Sequence, residues 1–132
     1  MMHWNELDGS VFFGKVFSAP VAIGLVELFA VHIDSNRPSI TVEFDIQELP
    51  DTLPEKWRKA EFNTCRIGIS CGNFRELEIK GVPTNELLKV DIAVLAGEYR
   101  VRISNKDSLI SFTTKHVSLC GPSVYFNARS EG

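Results

Sequence analysis

The chain has 132 residues, 44% of them hydrophobic and 23% charged. That is enough for one soluble domain, residues 1–132, to bury a core without disulfide or metal staples. A net charge of −3 lacks the basic excess of a general nucleic-acid binder. No apolar run reaches membrane-span length, and "MMHWNELDGS" has neither a basic start nor an apolar stretch for export, so no membrane or secretory role is expected.

In chain order, Trp4 and Leu7, then Phe12, Phe13, Val16 and Phe17, recur at helix-like spacing broken at Gly9 and Gly14. They predict a helical turn or two near the N-terminus. "LVELFAVHI", Leu25 to Ile33, is rich in strand formers and apolar on both faces except at Glu27 and His32, which suits a strand near the middle of a sheet. "DSNRP" supplies turn chemistry. In "SITVEFDI", Ile40, Val42, Phe44 and Ile46 then alternate with Thr41, Glu43 and Asp45, the period of a half-buried strand. The two segments read as a hairpin.

Pro50 ends that second strand because it cannot donate to a ladder. Pro54 sits where a first helical turn tolerates proline, predicting a short helix around residues 54–60 that turns Trp57 inward as an aromatic plug. Phe62-Asn63-Thr64 brings the chain back into the sheet. Cys65, Ile67, Ile69 and Cys71 share an apolar face there. A three-residue loop, Gly72 to Phe74, would set Ile69 opposite Leu77 and Ile67 opposite Ile79, whereas a two-residue turn would place both against glutamates. The longer loop is expected.

Leu88, Val90, Ile92 and Val94 alternate, "LAGE" turns the chain, and Tyr99, Val101 and Ile103 return on the same face. "SNKD" turns again before Ile110 and Phe112. "VSLCGPSVYF" adds one strand or two, with Gly121-Pro122 as a break. The fold class is mainly β: a single antiparallel β-sandwich or partly open barrel of hairpins.

Chemistry is sparse. His3, His32 and His116 lie far apart without metal-ligand spacing, and no nucleophile elbow, phosphate loop or zinc-protease motif is present. No cofactor is implied. The three cysteines include no C-x-x-C pair, and Cys65 and Cys71 lie about 20 Å apart on an extended strand, too far to bridge. Free thiols fit a reducing compartment, by default the cytoplasm. Cys120, beside Gly121-Pro122, is the one thiol open to exposure, and a buried or merely incidental cysteine is the plainer reading of it. The acidic set Glu43, Asp45, Glu48, Asp51 and Glu55 is the candidate binding feature; a solvated strand face running into an acidic loop is the plainer reading. Trp57, flanked by Lys56 and Arg58, is either an interface anchor or the plug of a sandwich end.

One resemblance adds a function. Val26, Leu28 and His32, then Thr41, Phe44 and Asp45, then Pro50, Pro54, Lys56, Trp57, Phe62, Asn63 and Thr64 resemble the central motif of the immunity protein 50 family of bacterial polymorphic toxin systems. "FRELEIKG", Phe74 to Gly81, adds a weaker echo, and Val82 stands where family members tend to carry Trp. The resemblance implies a cytoplasmic protein that binds a cognate protein toxin and neutralises it without catalysis. A generic β-rich interaction module is the alternative. The motif residues Pro50 to Thr64 read as structural, and the resemblance brings no toxin-contact residues with it.

Overall fold

The computed structural model describes residues 2–81 and 86–128. A 3-10 turn (Trp4–Glu6) and a six-residue helix α1 (Val11–Val16) precede strands β1 (Leu25–Asp34) and β2 (Ser39–Ile46). A four-residue helix α2 (Glu55–Arg58) then leads to β3 (Thr64–Gly72), β4 (Arg75–Lys80), β5 (Leu87–Leu95), β6 (Glu98–Ser104), β7 (Leu109–Thr114) and β8 (His116–Tyr125). All eight strands join one antiparallel sheet, in the order β4-β7-β6-β5-β1-β2-β3-β8, which does not close. Mainly β with two short helices is what the alternation implied.

The sheet buries one side. Val26, Ile40, Val42, Phe44, Ile67, Ile69, Leu88, Val90, Val101, Ile103 and Phe112 form a single cluster, which requires the β4-β7-β6-β5 half to curl over the β1-β2-β3-β8 half. β6 accordingly approaches β8. Each fully buried side chain of this size contributes about 1.5–3 kcal/mol of transfer free energy. The halves meet at a narrow seam, because β1 pairs with β5 only through Leu25, Val26 and Glu27.

The expected turns form, each by its own chemistry. Asp34 Oδ1 accepts from the Asn36 and Arg37 amides, and Asn105 Oδ1 accepts from those of Asp107 and Ser108. Ala96 and Gly97 take positive φ (51° and 79°) between Leu95 and Glu98, the backbone a two-residue hairpin requires. "VSLCGPSVYF" is one strand. Its register with β3 slips around Gly121 and Pro122, so the break is a bulge rather than an end.

Two expectations are corrected. β3 and β4 are not a hairpin: β3 pairs with β2 and β8, while β4 crosses to the opposite edge and pairs with β7. Val117 and Leu119 of β8 fill the positions opposite Cys71 and Ile69, so the apolar alternation of β3 fitted either neighbour equally. The crossing is held at its corner. The Asn73 amide bonds to Pro38 O at 2.7 Å, while Gly72 O accepts from Thr114 Oγ1 and the Lys115 amide. Trp57, in turn, is half-buried rather than an inward plug, its ring edge-on to Phe12 at 5.5 Å. The plug comes from the N-terminus. Trp4, Leu7, Phe13, Val16, Phe17 and Val21 are buried, with the Trp4 ring 5.3 Å from Phe44 and Phe13 stacked on Phe17 at 4.5 Å. Backbone bridges from His3 to Ala22 and from Asp8 to Ser118 tie this segment to the chain beneath it.

Candidate binding surface on the outer face of the sheet

Strand register lines up three rows of outward side chains across β1, β2, β3 and β8. Glu27, Asp45, Arg66 and Ser123 form the first; Ala30, Glu43, Gly68 and Cys120 the second; His32, Thr41, Ser70 and Ser118 the third. A bulge in β1 between Leu28 and Ala30 places Phe29 outside this alternation and sends its ring over the first row.

The first row is a closed polar cluster. Arg66 Nε donates to Asp45 Oδ1 at 2.9 Å, its Nη2 donates to the Tyr125 hydroxyl at 2.6 Å, and that hydroxyl donates to Asp45 Oδ2 at 2.5 Å. The guanidinium carbon lies 3.4 Å from the Phe29 ring centre and 4.5 Å from that of Tyr125, so the cation is stacked on two aromatic faces. Asp45 is only 8% exposed. Its charge is spent on Arg66.

Burial, and then the hydrogen bond it donates to Asp45 and the charge of that carboxylate, pushes the Tyr125 hydroxyl up to about 12. A raised tyrosine favours folding while the proton stays on. The contribution is therefore complete below the unfolded value of about 10 and is lost as pH rises through the folded value. In a Tyr99→Phe protein, which leaves Tyr125 as the sole tyrosine, ultraviolet titration should show tyrosinate forming near pH 12. Ionisation near pH 10 in the folded state would mean that the hydroxyl is not held by Asp45.

The second row contains a hollow. Gly68 is buried in mid-strand, and a Cβ there would stand 3.0 Å from Val42 O, 3.5 Å from Glu43 Cγ and 3.7 Å from Cys120 Cβ. Glu43, Arg66, Cys120, Gly121 and Ser123 wall this floor. His32 Nε2 lies 3.7 Å from Glu43 Oε1. Cys120 is exposed but raised above the ordinary thiol range, by burial first and the Glu43 charge second, so it stays protonated at neutral pH. Cys65 and Cys71 are buried and pushed up to about 12 by burial. All three are free thiols, as the strand geometry implied. A maleimide should label one thiol in the folded protein and three after denaturation. Two reactive native thiols would contradict this burial.

The five acidic candidates part company here. Glu43 and Asp45 share the outer face, and Glu48 is exposed just beyond the end of β2. Asp51 instead turns to the α1 side, where Ser18 donates both its amide and its hydroxyl to the carboxylate; those bonds hold it below the usual range. Glu55 is exposed in the first turn of α2. Among the motif residues, Pro50 is buried, Pro54 precedes α2 as its N-cap, and Lys56 is exposed. Phe62 is half-buried and Thr64 pairs with Tyr125. Asn63 latches the C-terminal segment: its Nδ2 donates to Asn127 O at 2.9 Å and its Oδ1 accepts the Asn127 amide at 2.8 Å. Val82 lies outside the described residues. Sequence reasoning missed Phe29, Arg66, Gly68 and Tyr125 as a group. The available signal was a glycine inside an otherwise apolar strand, which marks close approach of another backbone or ligand.

The family model for immunity protein 50 matches residues 10–125, most of the chain. The chain belongs to the immunity protein 50 family. No curated protein and no solved structure matches it. Within this family member, the motif residues from Pro50 to Thr64 build the crossover from β2 to β3 and the latch under Tyr125. Asn63 and Thr64 also line a small polar pocket with Glu27 and Asp45 of the first row.

Proposed function

We propose that this protein binds a cognate bacterial toxin stoichiometrically and neutralises it without catalysis, in the cytoplasm, as part of a polymorphic toxin system. Membership of the immunity protein 50 family over residues 10–125 carries the reading. The outer face supports it, since a rigid sheet surface with a fixed cation–aromatic cluster is the kind of platform that stable association needs. Of the acidic residues, Glu43 on the outer face and Glu48 just beyond the end of β2 are proposed to bias that surface towards a basic partner, complementary charge acting mostly on the association rate. Asp45 is matched to Arg66, and Asp51 and Glu55 lie off this face. A toxin that works on nucleic acid has such a cleft. The protein itself needs neither nucleic acid nor membrane.

Co-expression with each toxin domain encoded beside the gene tests the reading. The expected result is rescued growth and a complex of fixed stoichiometry that survives purification. Failure to rescue any neighbouring toxin, with the protein folded and abundant, would leave the generic β-rich interaction module as the better description.

A further inference from the structure

We propose that the hollow over Gly68 is the anchor pocket of the toxin-binding face, receiving one arginine or lysine side chain of the toxin with its charge against Glu43. This rests on the immunity reading and adds the point of contact and its chemistry.

Shape comes from the second row. Gly68 removes the side chain that would fill the centre of the face, and Cys120, Gly121 and Ser123 of β8 wall one side. Filling it from within is opposed by the backbone, because a Cβ at Gly68 would press on Val42 O at 3.0 Å. The depression is thus a fixed property of the β2-β3-β8 register.

Charge selects the occupant. Arg66 also lines the hollow, but its charge is already matched to Asp45, whereas the ion-pair neighbour of Glu43 is His32, at 3.7 Å. Among the described residues no lysine or arginine lies within ion-pair distance of Glu43 or Glu27. One carboxylate, beside a thiol, a serine and an arginine, is too few hard oxygen ligands for a divalent metal, and the described residues hold no group of three metal-binding side chains. A guanidinium or ammonium needs only one such carboxylate.

The rim argues for a macromolecule rather than a free amine. Phe29 is 57% exposed and lies 3.4 Å under the Arg66 guanidinium, which is also 4.5 Å from the Tyr125 ring centre. Aromatic and arginine side chains ordered before binding lose little freedom on contact. They stand beside the hollow, where a protein surface inserting a cation would cover them. The protonated Cys120 forms a neutral wall.

The probe is the toxin domain recovered by co-expression. Glu43→Gln keeps the shape of the side chain and removes its charge. N-ethylmaleimide on Cys120 of the folded protein fills the hollow while leaving the Glu43 carboxylate chemically unaltered, and Cys120→Ser treated alike is its control. Glu43→Gln and the alkylated protein should each bind the toxin about 30-fold more weakly or worse, the lower end for breaking a desolvated charge contact, while Cys120→Ser binds normally. Arg102→Ala, on the other half of the sheet, should bind like the unaltered protein. If both changes leave affinity within about threefold while the toxin is still neutralised, the hollow is not the anchor although the immunity reading stands. If the unaltered protein binds no toxin, the reading fails and this proposal falls with it. Should Glu43→Gln fail to fold, the alkylation arm decides alone.

Discussion

Trp4→Ala is expected to cost about 3–5 kcal/mol, the range for removing a large aromatic from a core. Trp57→Ala should cost about 1–2 kcal/mol, since only part of that ring leaves water. Trp4 is 1% exposed and lies against Phe44, and its backbone amide bonds to Val21 O at 2.9 Å. Truncation would open a cavity at the end of the sheet and unseat Leu7, Phe13 and Val21, which share its cluster. Trp57 rests on Phe12, itself 37% exposed, so water can take the place of either ring. In a domain of this length the Trp4 change should lower the melting temperature by about 10–20 °C. Urea titrations of both variants provide the comparison. A larger loss from Trp57→Ala would make α2, not the N-terminal segment, the lid of the core.

These two tryptophans also mark what the sequence made legible. Period-two alternation located β2, β3, β5, β6 and β7 and assigned most of their inward residues, because one-residue slips would expose a whole apolar face. Val94, read on the inward face of β5 with Leu88 and Val90, is instead 55% exposed where the strand runs out beyond the core. Alternation did not choose partners. Ile69 and Cys71 accept Leu119 and Val117 as readily as the residues of β4, and the deciding contacts, Asn73 to Pro38 and Thr114 to Gly72, are single polar bonds with no periodic trace. Proline spacing around Trp57 identified α2 but not its depth of burial. Depth is fixed by what lies above, here Phe12 of α1, far away in the chain. The outer face was half legible: Glu43 and Asp45 are visible as outward residues of β2. The neutralisation of Asp45 required knowing that Arg66 and Tyr125 lie beside it, and Tyr125 arrives only through the pairing of β8 with β3.

Asp45→Ala should destabilise the fold by about 2–3 kcal/mol. Removing one partner of a fully buried ion pair costs about 3–5 kcal/mol because the other charge is left uncompensated. The side chains of Asp45 and Arg66 retain 12% and 22% exposure, so water offsets part of that loss. Two groups lose their acceptor together, the Arg66 guanidinium and the Tyr125 hydroxyl. Arg66→Met separates charge from packing: its unbranched chain can still lie between Phe29 and Tyr125, while Asp45 is left unpaired. Combined with Asp45→Ala, the cost should fall below the sum of the single variants by about 1–2 kcal/mol, the signature of residues acting as one unit. Chemical denaturation of the two singles and the double closes the cycle. Additive losses would mean that the carboxylate and guanidinium hold the face independently. A double variant that keeps its stability would then carry Phe29 without the cation that orders it, so weaker toxin binding by that variant would trace to the loss of a pre-set rim rather than to unfolding.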